Sequence, residues 1–185
     1  MKKNDTKEFI TETSFKLFLD KGYRNTSMSN LVTETKLSKG AFYHYFKNKE
    51  ELYQEVIHRY FISYYKQVDW NTLKDMNSME LEMMIKGFYQ SFIPEILSLT
   101  KKGMSRYFIL FFEAYEEYPK FKEEVRFFYK QIKKILIQQF KKEKIENPIL
   151  EATNLLAKYE GLIFWISVFP EHKIENLLLN DSKSL

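Results

Sequence analysis

Cysteine is absent from this 185-residue chain, which excludes a disulfide framework and thiolate chemistry and suits a reducing compartment. Histidine is scarce: His44, His58 and His172 are the only three, and no two stand at metal-ligand spacing. None of the five glycines builds a loop that cradles phosphate. Long hydrophobic runs are also missing, since the longest, Gly161 to Phe169, is nine residues and too short to span a bilayer. The polar stretch from Met1 to Phe9 lacks the apolar centre of a signal peptide, and no internal repeat or low-complexity linker is present. The acids lie mostly beside lysines on exposed helix faces. The expectation is a soluble cytoplasmic protein with no metal, no cofactor and no membrane partner, and not an enzyme.

What the chain does have is apolar mass and a local excess of positive charge. With 44% hydrophobic residues it can fill the core of one large domain or of a small and a medium one. The net charge is only +4, yet Lys21, Arg24, Lys36, Lys39, Lys47 and Lys49 face Glu34 alone between residues 21 and 49, so that segment carries +5. Such a footprint attracts phosphate when it coincides with a structural motif.

It coincides with one here. Thr26 and Ser27 can cap a helix whose buried face is Met28, Leu31, Val32 and Thr35. Lys36 and Leu37 make a turn, and Ser38 can cap a second short helix running to Phe46. Phe42 and Phe46, four apart, face inward with Ala41 or Tyr45 alongside. Lys39, Gly40, Tyr43 and His44 are left outward, and these are the donors and bare backbone that a phosphate surface requires. Two short helices around a tight turn, the second basic and aromatic, form the pattern of a DNA-reading helix-turn-helix.

The run from Ser38 to Phe46, followed by Lys49, Glu50, Glu51 and Leu52, closely resembles the recognition helix and next helix start of the TetR family of transcriptional repressors. Phe18, Gly22 and Tyr23 are similar to the close of the family's first helix, and Thr26 to Val32 to its second. The resemblance covers about residues 6 to 60; beyond it only length and helical character agree. Two departures stand out: Lys36 occupies a turn position where the family mostly has glycine, and Ser29 and Asn30 occupy positions where it often has a basic and an acidic residue.

The resemblance implies an all-α protein. An N-terminal three-helix DNA-binding domain would cover residues 1–48, and a helical effector-binding and dimerisation domain would cover 49–185. The set expected to touch DNA is Thr26, Ser27, Ser38, Lys39, Gly40, Ala41, Tyr43, His44, Tyr45 and Lys49. Within it Lys39 is the candidate for a base edge or nearby phosphate, Gly40 allows close approach and Ala41 can meet a thymine methyl. Tyr43, Tyr45 and Lys49 would hold phosphates, and His44 would do either. The implied function is a repressor that binds a near-palindromic double-stranded operator as a homodimer. The alternative is a helical interaction protein of the same fold that reads no DNA, such as an antagonist of a related repressor.

The rest of the chain reads as helices. Asn48 starts one to about Gln67, a polar interruption follows from Asp69 to Ser78, and helical spacing resumes at Met79 until Pro94 breaks or restarts it. Gly103 marks a junction before a helix from Met104 to Glu117. Pro119 opens a long helix to about Lys144, Asn147-Pro148 opens another to about Phe169, and a short one follows from Glu171 to Leu179. The apolar faces of the two long helices are broad enough to suggest a second copy as partner, with Phe128, Ile132, Ile135, Gly161, Leu162 and Trp165 as its candidate contacts. Gly161 fits either close helix approach or a neighbouring core side chain. Tyr89, Phe92, Tyr107, Phe111, Tyr115 and Trp165 are candidates to line a pocket for a small apolar or aromatic effector, cationic where Glu113 or Glu160 faces inward. His172 reads as a surface histidine or a polar anchor.

Overall fold

Capping side chains set many of the helix boundaries in the computed structural model, which describes residues 3–172. The helix expected from Glu171 to Leu179 lies almost wholly outside the described residues. The order is α1 (Lys3–Lys21), α2 (Met28–Thr35), α3 (Lys39–Tyr45), α4 (Lys49–Ile57), α5 (Ser63–Lys66), α6 (Trp70–Asp75), α7 (Ser78–Leu99), α8 (Ser105–Glu117), α9 (Pro119–Lys142) and α10 (Pro148–Val168). No strand occurs among the described residues, so the fold is all-α.

Ser27 and Asn30 form a reciprocal capping box at the start of α2, and the side chains of Ser38 and Asn48 accept from Ala41 and Glu51 N–H to start α3 and α4. Asn77 and Glu80 make the same reciprocal exchange before α7. Three expectations change. The polar stretch after Asp69 contains a helix, α6, because the Asp69 carboxylate accepts the N–H groups of Asn71 and Thr72. Those bonds and the Thr72 hydroxyl, the largest cause, hold the Asp69 carboxyl below its usual range. Pro94 does not break α7, which continues to Leu99 with the proline on its exposed side. Between α4 and α5 the chain forms a π-helical turn, His58–Ile62, where continuous α-helix was expected.

By packing, the chain divides into two units. The first holds the described residues up to Gln67 together with 100–102 and 106–125. Its core is Ile10, Phe15, Phe18 and Leu19 of α1, Leu31, Phe42 and Phe46 of the helix-turn-helix, and Leu52, Val56 and Ile57 of α4. Phe61 of the π turn stacks on Tyr107 of α8 at 5.0 Å and meets Phe121 edge-on at 5.6 Å. Each such fully buried aromatic or aliphatic side chain contributes about 1.5–3 kcal/mol of transfer free energy.

The second unit holds 68–99, 103–105 and the described residues from Arg126 onward. Helices α7 and α10 pack together in it. Leu81, Ile85, Phe92, Ile93 and Ile96 of α7, Ile132, Ile135, Leu136 and Phe140 of α9, and Ala152, Tyr159, Ile163 and Ile166 of α10 are buried. The buried Gln139 amide donates to the carbonyls of Lys74 and Met76 and so fixes the α6–α7 turn. No helix is long and apolar enough to cross a membrane among the described residues.

Candidate nucleic-acid interface

The turn between α2 and α3 resolves the first departure noted in the sequence. Lys36 takes the left-handed conformation, φ 56° and ψ 18°, and its N–H bonds to the Thr33 carbonyl at 3.2 Å. A lysine therefore occupies a backbone geometry that glycine adopts without steric conflict. Leu37 is half-buried behind it, and Ser38 Oγ accepts the Ala41 N–H at 3.2 Å to begin α3.

The seven residues of α3 sort by face. Phe42 is fully buried and Phe46, just beyond the helix, is 1% exposed, so the inward pair is as the four-residue spacing required. Lys39, Gly40, Ala41, Tyr43 and His44 are exposed. A Cβ placed on Gly40 meets nothing within 4 Å, so the bare backbone faces open space and fills no need of the protein's own packing. Lys39 Nζ lies 6.0 Å from the Tyr43 ring centroid. Tyr45 is half-buried, its ring edge-on to His44 at 5.2 Å.

Other expected contacts are placed differently. Thr26 is 1% exposed and its hydroxyl donates to the Gly22 carbonyl at 2.8 Å, so it closes the α1–α2 loop and is unavailable to a phosphate. Ser27 is exposed but engaged with Asn30, whose side-chain oxygen accepts both the Ser27 N–H and hydroxyl. Ser29 is exposed beside it. Lys49 is half-buried: its ammonium donates to the Tyr23 carbonyl at 3.0 Å and lies 4.2 Å from the Tyr23 ring centroid. Tyr23 itself stacks on Tyr53 at 3.9 Å, and its N–H donates to Glu113 Oε2 at 3.0 Å. Burial pushes the Tyr53 phenol far up, and it stays protonated and donates to the Leu110 carbonyl.

Charge is redistributed as well. Arg24 pairs with Glu117 at 2.5 Å, which trims the local excess from outside the segment in which it was counted. Lys36, Lys39 and Lys47 are exposed and form no ion pair among the described residues. Arg106 donates to the carbonyls of Leu19 and Asp20, and Lys102 to that of Asp20, so cations from the 100–106 segment cap the C-terminus of α1. These tethers join residues more than 80 apart in sequence, and periodicity carries no signal for them.

The six expected pocket residues divide between the units. Tyr107, Phe111 and Tyr115 belong to the first, where Tyr107 and Phe111 pack about Phe61 and Lys122 Nζ lies 5.1 Å from the Tyr115 ring centroid. Tyr89, Phe92 and Trp165 belong to the second. Tyr89 and Phe92 are buried, whereas Trp165 is 43% exposed and donates its Nε1–H to His172 Nδ1 at 2.8 Å. Of the two acids considered for an inward role, Glu113 is engaged with the Tyr23 N–H, and Glu160 accepts the hydroxyls of Tyr89 and Tyr129. Tyr129 was not singled out from sequence; its place among α9 lysines hid it.

Among the expected dimer contacts, Ile132 and Ile135 are each 3% exposed, so they serve the protomer's own core and cannot be offered to a partner. Phe128 and Leu162 are half-buried. Gly161 is exposed, and a Cβ there meets nothing within 4 Å, which removes the alternative that it makes room for a core side chain. Around it on α10, Leu150, Phe164 and Val168 are more than half exposed.

Residues 10–56 match the model of the bacterial regulatory proteins of the tetR family. The uncharacterised HTH-type transcriptional regulator YuxN of Bacillus subtilis is 44% identical over 57 residues, 31% of this chain and 20% of that protein. The HTH-type transcriptional repressor NemR of Escherichia coli is 31% identical over 65 residues, 35% of this chain and 33% of its own length. The matched segment thus spans a third or less of these relatives. A solved transcriptional regulator of the TerR/AcrR family from Aquifex aeolicus superposes with a TM-score of 0.67 at 26% identity, covering 95% of this chain and 94% of the other. The reduced form of NemR gives a TM-score of 0.60 at 19% identity over 95% and 94% of the two chains, a likeness of fold. These are regulators and not enzymes. Residues 10–56 therefore carry the N-terminal domain of the tetR family of bacterial regulatory proteins, and over nearly its whole length the chain has the fold of a TerR/AcrR-family regulator.

Proposed function

We propose that the protein is a DNA-binding repressor that reads a near-palindromic operator as a homodimer and is released by a small, largely apolar or aromatic effector. Residues 1–48 read DNA, and residues 49–185 bind the effector and the second copy. The observation that carries this reading is the outward face of α3, where Lys39, Gly40, Ala41, Tyr43 and His44 are exposed while Phe42 anchors the helix from behind. Two such helices related by a two-fold axis enter major grooves about one helical turn or more apart, which makes the operator a near-palindrome and its affinity steeply salt-dependent.

Dimerisation through α10 is supported by its exposed row of Ala157, Gly161, Phe164 and Val168, which repeats at three- and four-residue steps, with Leu150 seven residues before it on the same face. Small residues at the centre of the row let two helices approach closely. The effector acts by preferring one spacing of the two reading heads, since a ligand shifts an equilibrium only by its differential affinity.

Selection of bound sequences from a random DNA pool by the purified protein tests the reading. Enrichment of a near-palindrome supports it. Failure to enrich any such sequence transfers the weight to a helical interaction protein that reads no DNA.

A further inference from the structure

Three helices of the second unit converge on one carboxylate. Tyr89 of α7 donates its hydroxyl to Oε1 of Glu160 on α10 at 2.5 Å, and Tyr129 of α9 donates to the same oxygen. Glu160 is half-buried and makes no ion pair among the described residues. Its Oε2 accepts no hydrogen bond there, and since no fully buried side-chain oxygen is left without a partner, Oε2 opens to solvent. The neighbouring cation on α10, Lys158, pairs with Glu82 at 3.3 Å, and the Tyr159 hydroxyl donates to the same Glu82 oxygen. The Lys158 ammonium is thus directed to Glu82, and no ion pair among the described residues neutralises the Glu160 carboxylate.

The surroundings are aromatic. Tyr89 stacks on Tyr159 with centroids 5.5 Å apart, and the 41%-exposed Phe88 meets Tyr89 edge-on at 5.2 Å. Neutral phenol donors stabilise a half-buried carboxylate without cancelling its charge. The negative faces of the rings act in the same direction, so both features favour a cation over a neutral group at this place.

We propose that Glu160, with Tyr89 and Tyr129, recognises an organic cation, a quaternary or protonated amine carried on an apolar or aromatic body. The assignment rests on the effector-binding reading above and gives that effector its charge. Oε2 receives the cation while Oε1 keeps its two phenol donors, and no bond is made or broken.

The probes are phenyltrimethylammonium and its neutral isostere tert-butylbenzene, titrated onto the full chain with ligand-observed saturation-transfer NMR. The parent protein is expected to bind the cation about fivefold or more tightly than the isostere. Glu160→Gln keeps a carbonyl acceptor for both tyrosines but removes the charge, and is expected to abolish that preference. Tyr129→Phe removes one donor and leaves the charge, so the preference persists. Equal binding of the two probes by the parent protein, no binding of either, or an undiminished preference in Glu160→Gln overturns the proposal, and the first two results need no variant to fold. The release reading fails separately: a cation that binds through Glu160 yet leaves operator affinity unchanged in a gel shift keeps this site and removes derepression.

Discussion

At the scale of single residues, Lys36 is the position where this chain departs most clearly from the backbone preference of its side chain. Its φ of 56° lies in the left-handed region, which disfavours a Cβ by about 1–2 kcal/mol, and glycine escapes that penalty at the expense of a more flexible unfolded chain. Lys36→Gly is therefore expected to raise stability by about 0.5–1 kcal/mol, read as a higher urea midpoint at unchanged slope. A lower midpoint would mean that the lysine stem makes contacts worth more than the strain. Lys39 and Lys49, both cationic, carry different expectations. Lys39 is exposed on α3 and has no ion pair among the described residues, so Lys39→Ala should weaken the selected operator more than random DNA in a gel-shift titration, with the dimer intact. Lys49 is tethered to the Tyr23 carbonyl and ring, so a phosphate must share or displace that tether. Lys49→Ala should weaken all sequences alike and reduce the salt slope by about 1. A sequence-selective loss would contradict a phosphate role.

At the scale of elements, what was legible in the sequence followed local chemistry. Ser27, Ser38 and Asn48 marked the starts of α2, α3 and α4 because a capping side chain acts on N–H groups two or three residues away. Phe42 and Phe46 were assigned inward correctly because a four-residue step keeps one helix face. The burial of Thr26, expected to touch DNA, had no signal in the sequence, because the carbonyl it satisfies, that of Gly22, precedes it in a loop whose path depends on packing. Ile132 and Ile135 were misassigned for a related reason: an apolar stripe shows that a face is covered, but not whether the cover is the protomer or a partner. The ties from Glu113, Glu117 and Arg106 to the end of α1 and its loop had no local signal at all. They nevertheless fix the entry to the helix-turn-helix. Glu113→Ala leaves the Tyr23 N–H without its charged acceptor and is expected to cost about 1–3 kcal/mol in stability. Because the Tyr23 carbonyl also holds Lys49, the same change should increase hydrogen exchange at residues 22–27 before it affects α7 or α10. Uniform exchange along the chain would place Glu113 among general structural contacts.

At the scale of the whole molecule, recognition of a near-palindrome depends on two reading heads being linked, and the link proposed here is α10. Its exposed row is apolar or small at Leu150, Ala157, Gly161, Phe164 and Val168, and among the described residues nothing lies within 4 Å of a Cβ placed on Gly161. The neighbouring helix α9 presents Arg126, Lys130, Lys134, Lys141 and Lys142 to solvent, so pressing two copies together along that row of cations would bring like charges into contact. The apolar row of α10 is therefore the better centre for a two-fold contact, with the lysines of α9 at its rim. Phe164, 62% exposed, lies next to the small residues of the row, where a charge would be desolvated without a partner on both sides of the axis. Phe164→Glu is expected to convert the dimer to a monomer by sedimentation equilibrium while leaving the far-ultraviolet circular dichroism unchanged. With the link gone, the two half-sites are bound independently, so operator affinity should fall by about a hundredfold or more, toward that of a single half-site. A Phe164→Glu protein that still sediments as a dimer would move the interface off α10, and one that is monomeric yet binds the full operator as before would remove the two-headed model.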